Sequence, residues 1–163
     1  MNIDDTGGLV IRGDNQQFLE TAIRNGVDFI VIGSVAAAYY KCRELDEIND
    51  LDLLINPTKE NGEKVIRTLS NMHISVKWQS SELEKPAKQI PIKCNFCNVD
   101  ILTPKNNQDY KSMKNESNIS YIGNSKVDIL SLVDLIKIKE ETLNEITSEA
   151  EKHEKDLLCL KAV

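Results

Sequence analysis

Asn49-Asp50-Leu51-Asp52-Leu53-Leu54-Ile55 reads as a buried strand carrying two acids. Side chains alternate along a strand, so Leu51, Leu53 and Ile55 take one face, and Asp50 and Asp52 take the other. Aspartate is a poor strand former, and two of them in so apolar a run point to a task beyond packing. Paired carboxylates with no basic neighbour in the sequence repel each other. A divalent cation held by their oxygens relieves that repulsion. The stretch therefore predicts a metal site on a central strand, with the rest of the chain supplying walls, a phosphate cradle and a third ligand.

Upstream, Phe29-Ile30-Val31-Ile32 is a continuous apolar run and predicts a buried strand. Gly33-Ser34 turns it into a short helix, Val35 to about Lys41. Glycine lets the backbone approach a ligand closely, and a helix start offers free N–H groups that suit a phosphate. Ser34 adds a hydroxyl. Taken alone, the turn reads more simply as a tight corner with an N-capping serine. Downstream, Asn98-Val99-Asp100-Ile101-Leu102 sets a third acid in an apolar run that Thr103-Pro104 stops. By itself Asp100 reads equally well as an edge-strand acid. Placed beside the Asp50 strand, it completes a triad able to hold two Mg²⁺ ions about 3.5–4 Å apart, an arrangement suited to in-line phosphoryl or nucleotidyl transfer.

The remaining elements follow from periodicity and caps. Asp14 is an N-cap for a helix with Phe18, Leu19, Ala22 and Ile23 inward, ended by Asn25-Gly26. Cys42 to Asn49 is a polar connection. Thr58 caps a helix with Val65, Ile66 and Leu69 inward. Ile74 to Trp78 alternates like a strand, and Ser80 to Gln89 reads as a mobile loop. Ile90 to Lys93 pairs with the Asp100 strand or continues it as one bent strand. A short helix follows Asp109. Ile119 to Ile122 and Lys126 to Leu130 flank Gly123-Asn124 as a hairpin. Ser131 caps a helix lined by Leu132, Leu135, Ile136 and Leu143. A last helix starts near Ser148, with Leu157, Leu158 and Leu160 inward.

The 163 residues fit one domain spanning 1–163, with 1–13 weakly ordered and 131–163 a C-terminal helical part. A net charge of −6 argues against duplex DNA as a partner. No apolar run approaches the roughly 20 residues that span a bilayer, and the N-terminus lacks the pattern of a signal peptide. A cytoplasmic protein without a membrane partner is expected. Thiols in that compartment stay reduced, so Cys42, Cys94, Cys97 and Cys159 are not expected to form disulfides. Cys94-Asn95-Phe96-Cys97 has zinc-ligand spacing, but a structural zinc needs a second pair, and two small residues in or beside a strand are the better reading.

Phe29 to Ile55 resembles the nucleotidyltransferase superfamily with the DNA polymerase β-like fold. The shared features are the Gly-Ser turn and helix, the Asp-Leu-Asp strand and a third acid on a later strand. Pro57 to Asn61, Val99 to Leu102, Ile129 to Lys139 and Lys155-Asp156-Leu157 look like small bacterial members, including transferases of toxin–antitoxin and phage-defence systems. The resemblance implies an α+β fold, a mixed sheet flanked by helices with further helices at the C-terminus. It implies that Asp50, Asp52 and Asp100 are catalytic and bind Mg²⁺, two ions, with Mn²⁺ a substitute. Gly33, Ser34 and Lys139 would hold a nucleoside triphosphate (NTP), ATP among the candidates. For Lys139 a solvated helix face is an equal reading.

The chain departs from this pattern in three places, one being a slightly longer stretch between the Gly-Ser turn and the acids. Relatives often carry Arg-x-Thr-x before the first aspartate, where Asp46-Glu47-Ile48-Asn49 stands here, with Arg43 nearby but out of register. His153 stands where an arginine is common. The implied activity is Mg²⁺-dependent transfer of a nucleoside monophosphate to a hydroxyl, with a protein or tRNA favoured over a small molecule as acceptor. A partner protein could supply the rest of the site. The alternative is a binding module that keeps the fold without catalysis.

Overall fold

The computed structural model describes residue 11 and residues 13–94, 97–106, 109–145 and 150–163. The weak order expected of 1–13 concerns residues that, apart from 11 and 13, lie outside that set, as does the expected helix start at Ser148.

Phe29–Ile32 (β1) and Leu51–Ile55 (β2) pair antiparallel at the centre of a six-stranded mixed sheet. Gln89–Cys94 (β3) and Cys97–Leu102 (β4) form an antiparallel pair, and β4 runs parallel to β2. Asn118–Ile122 (β5) and Ser125–Ile129 (β6) form the hairpin around Gly123-Asn124, with β6 parallel to β1. The strand order is β3-β4-β2-β1-β6-β5. Among the described residues six α-helices flank it: Asp14–Arg24 (α1), Gly33–Tyr39 (α2), Lys59–Asn71 (α3), Asp109–Glu116 (α4), Leu132–Glu145 (α5) and Ala150–Lys161 (α6). None is long and apolar enough to cross a membrane.

Helices α1 and α3 pack on each other and cover the face bearing Leu51, Leu53 and Ile55, all essentially fully buried. Thr58 caps α3 by accepting the Asn61 N–H at 3.2 Å. Asn61 is itself buried, and its amide bonds Asp28 N–H at 2.7 Å and the carbonyls of Asp28 and Asn56 at 2.9 Å. One side chain thus ties the start of β1 to the end of β2 and fixes their register. Ser131 caps α5 as expected, accepting the Asp134 N–H at 3.2 Å.

Several expectations fail. Asp14 is the first residue of α1 and not its cap, which is Gly13, and Ile23 on that helix is 38% exposed. Ile74 to Trp78 is irregular, because Ile74, Val76 and Trp78 pack on the core from a segment that no strand pairs with. Ser80–Glu84 is a 3₁₀ turn with Leu83 buried, Glu82 pairs with Lys85 and Lys88, and Gln89 already opens β3, so this segment is built into the fold. Leu158 is 74% exposed, and Asp156 takes the inward place one turn before Leu160. Cys42 and Cys159 form a disulfide with Cα atoms 5.6 Å apart. The expectation of reduced thiols came from compartment and composition, neither of which reports proximity.

Candidate functional site

Register builds the site. In the β2–β4 ladder Asp52 lies opposite Asp100, so both carboxylates leave the same face of adjacent strands. Asp50, two residues ahead of Asp52, shares that face. One oxygen from each of the three carboxylates lies within 4.8 Å of the others, and all three residues are half-buried. The structure therefore brings together the three acids read from separate stretches of sequence.

Burial raises the pKa of Asp52 well above the usual carboxylate range. The charges of Asp50 and Asp100 push it further up, as does a hydrogen bond with Asp100, while Lys139 pulls it down. Burial and two neighbouring negative charges thus disfavour the ionised form of Asp52. A dication where the three converge would favour the ionised form of Asp52. The donors are hard carboxylate oxygens with no thiolate or imidazole among them, a set that fits Mg²⁺ or Mn²⁺.

Gly33 sits directly over Asp52, because Ile32 pairs with Asp52 across the β1–β2 ladder. Its φ is 67°, and a Cβ there would overlap the Asp52 carboxylate. Both the left-handed backbone and the close approach require glycine. Ser34 follows at the start of α2, 6% exposed. Its Oγ accepts a hydrogen bond from Arg43 Nη1 at 3.4 Å.

Lys139 is not on a solvated face. It is 5% exposed and bonds Asp156 Oδ2 at 3.0 Å. Asp156 also receives Arg43, Nε on Oδ1 at 2.9 Å and Nη2 on Oδ2 at 2.7 Å. Burial pushes the Asp156 carboxyl up, but the Arg43 and Lys139 bonds outweigh it and hold the pKa below its ordinary value. The sequence reading missed the roles of Arg43 and Asp156. The signal that could have found them is an acid on the buried stripe of α6, where an unpaired charge is intolerable and a cation partner is implied.

A cavity of about 330 Å³ opens on the carboxylate face farther along the strands. Leu54 and Leu102 form its floor, each two residues beyond a triad aspartate, with Met113 of α4 and Ile138 of α5 among its walls. Elsewhere Asp28, Asp128, Tyr110 and Lys114 form a second polar group, in which Lys114 bridges the two carboxylates at 2.7 Å from Asp128 and 3.2 Å from Asp28, and Tyr110 donates to Asp28. Among the described residues Asp50, Asp52 and Asp100 are the one group of three or more such side chains placed to share a metal ion.

No protein-family model and no curated protein sequence matches the chain. The structure is similar to the crystal structure of an antigenic nucleotidyltransferase-like protein from Paracoccidioides brasiliensis, with a TM-score of 0.60 at 11% identity over 92% of this chain and 77% of that one. At that identity the likeness carries the fold alone: this chain has a nucleotidyltransferase-like α+β fold.

Proposed function

We propose that the protein is a Mg²⁺-dependent nucleotidyltransferase, moving a nucleoside monophosphate from an NTP to a hydroxyl of a protein or RNA acceptor. The observation that carries this reading is the convergence of Asp50, Asp52 and Asp100 on one sheet face of a nucleotidyltransferase-like fold. Asp50, Asp52 and Asp100 would hold the metal between them. Mg²⁺ bound there supplies charge for the phosphate oxygens and acidifies an acceptor hydroxyl.

The chain's own residues do the rest. Asp100 stands on the β4 side of the pair and takes the proton of the acceptor hydroxyl. The acceptor oxygen bonds to the α-phosphorus as the bond to pyrophosphate breaks. Ser34 donates a hydrogen bond to the triphosphate as its charge moves toward the leaving group, and Gly33 keeps the backbone clear of Asp52. The cavity above Leu54 and Leu102, continuous with the triad's face, is roomy enough for a nucleoside.

The experiment is transfer of α-labelled nucleotide from ATP, CTP, GTP and UTP with Mg²⁺ to cell protein and RNA. Wild type is expected to label an acceptor at least about 10³-fold faster than Asp50→Ala, since that change removes a ligand of the charge that drives the step. Equal labelling by the two proteins overturns the assignment. Mg²⁺-dependent NTP binding without any transfer would favour a binding module that has kept the fold.

A further inference from the structure

We propose that Arg43 and Asp156 are positioning residues that aim the Ser34 hydroxyl at the incoming triphosphate, and that the Cys42–Cys159 disulfide fastens them in place. The inference rests on reading Gly33-Ser34 as the triphosphate turn, and it adds a redox dependence to that site.

Asp156 is 1% exposed, and its two oxygens receive two different guanidinium nitrogens of Arg43. Such a bidentate pair fixes the guanidinium plane as well as its position. The remaining nitrogen, Nη1, then faces Ser34 Oγ at 3.4 Å. A guanidinium has donors and no acceptor, so Ser34 Oγ must accept this bond. Its own proton is left to donate elsewhere, and a phosphoryl oxygen is the partner that lacks one. A hydroxyl set in advance donates without reorganising as charge develops.

Charge supports the same conclusion. Lys139 binds the same carboxylate at 3.0 Å, so two cations and one anion leave one net positive charge beside Ser34. That charge lies next to the negative triad and is felt by Asp52. Asp156 keeps the two cations from repelling each other, and so keeps both near the turn.

The disulfide joins the same two segments. Cys42 adjoins Arg43, and Cys159 lies about one helical turn beyond Asp156 on α6. A covalent link and a bidentate ion pair therefore run side by side across a separation of 117 residues. Both cysteines are partly exposed, within reach of a small dithiol. Two electrons and two protons from a dithiol convert the bond to two thiols, and the dithiol leaves as its own disulfide. Arg43 then keeps only the ionic link, and the backbone that carries it is no longer tied covalently to α6.

The test is isothermal titration of the full chain with inorganic tripolyphosphate and Mg²⁺, before and after dithiothreitol, with thiol counting to show that the bond has opened. Reduction is expected to weaken tripolyphosphate binding about tenfold, the weight of one charge-assisted hydrogen bond. Cys159→Ser should match the reduced wild type. Ser34→Ala should lose the same factor when oxidised and then lose nothing more on reduction. Asp156→Asn should bind weakly in either redox state, with Asp156→Glu restoring part of the loss. Unchanged affinity on reduction overturns the inference, as does a redox response that survives in Ser34→Ala. Tighter binding on reduction also overturns it, since the disulfide would then be holding the turn away from the ligand. If oxidised wild type binds no tripolyphosphate at all, the triphosphate turn itself is wrong and both readings fall together. If Cys159→Ser does not fold, the reduced wild type, checked by circular dichroism, decides alone.

Discussion

The face of β2 and the seam between α5 and α6 each bury an aspartate and treat it in opposite ways. Asp52 stands among two other acids, and burial and its neighbours push its pKa up. Asp156 is more deeply buried, yet Arg43 and Lys139 hold its pKa down. Both sites desolvate a carboxylate. One brings its counter-charges from within the chain, and at the other the near neighbours are acids, an arrangement that suits an added cation. Depth of burial therefore does not separate a structural acid from a functional one. The sign of the surrounding charge does.

The comparison is broken most forcefully at Asp156. Asp156→Asn leaves two buried cations without their anion, and removing one partner of a buried pair costs about 3–5 kcal/mol. Chemical denaturation should show that loss with an unchanged denaturant slope. A cost under about 1 kcal/mol would mean that the seam tolerates two unpaired cations, and that the contrast with Asp52 is only apparent. The next effect is ligand addition. Mg²⁺ at 100 times its dissociation constant should stabilise wild type by about 2.7 kcal/mol and leave Asp52→Asn nearly unmoved. Thermal unfolding with and without Mg²⁺ reads both, and an equal shift in the two proteins would place the ion elsewhere.

How much of this contrast the sequence held follows from the range of each signal. The triad was legible because strand alternation is local. Asp-Leu-Asp and the lone acid in Val99-Asp100-Ile101 each declare their face within a few residues, and their convergence then needs only β2 beside β4. The central strands, the hairpin at Gly123-Asn124 and the helices capped by Thr58 and Ser131 were legible for the same reason. The seam was not. Arg43 and Asp156 lie 113 residues apart, and neither residue's surroundings names the other. Cys42 and Cys159 are equally remote, so counting cysteines gave the wrong expectation. Ile74 to Trp78 failed differently: its alternation is real, but alternation reports burial on one side and does not supply a strand to pair with.

The smallest expected effect separates the two aspartates most cleanly, because it has opposite signs at the two positions. A carboxyl whose folded pKa is raised binds more protons folded than unfolded between the two values, so its contribution to stability falls as pH rises through that interval. Asp52 is that case, and its interval begins near the ordinary value of about 3.9. Asp156 is the converse, since its folded pKa is lowered. Its contribution is complete above about pH 4 and is lost as pH falls through the folded value. In metal-free buffer Asp52→Asn should therefore be more stable than wild type at pH 7, by about 0.5–1 kcal/mol, the scale of a like-charge contact across a sheet. The gain should shrink toward pH 4 as Asp52 in the wild type takes up its proton, and Mg²⁺ should reverse it. Urea titrations at three pH values with a chelator present would read the trend. A variant less stable than wild type at pH 7 would mean that Asp52 is already satisfied from within, and the two aspartates would then belong to one class.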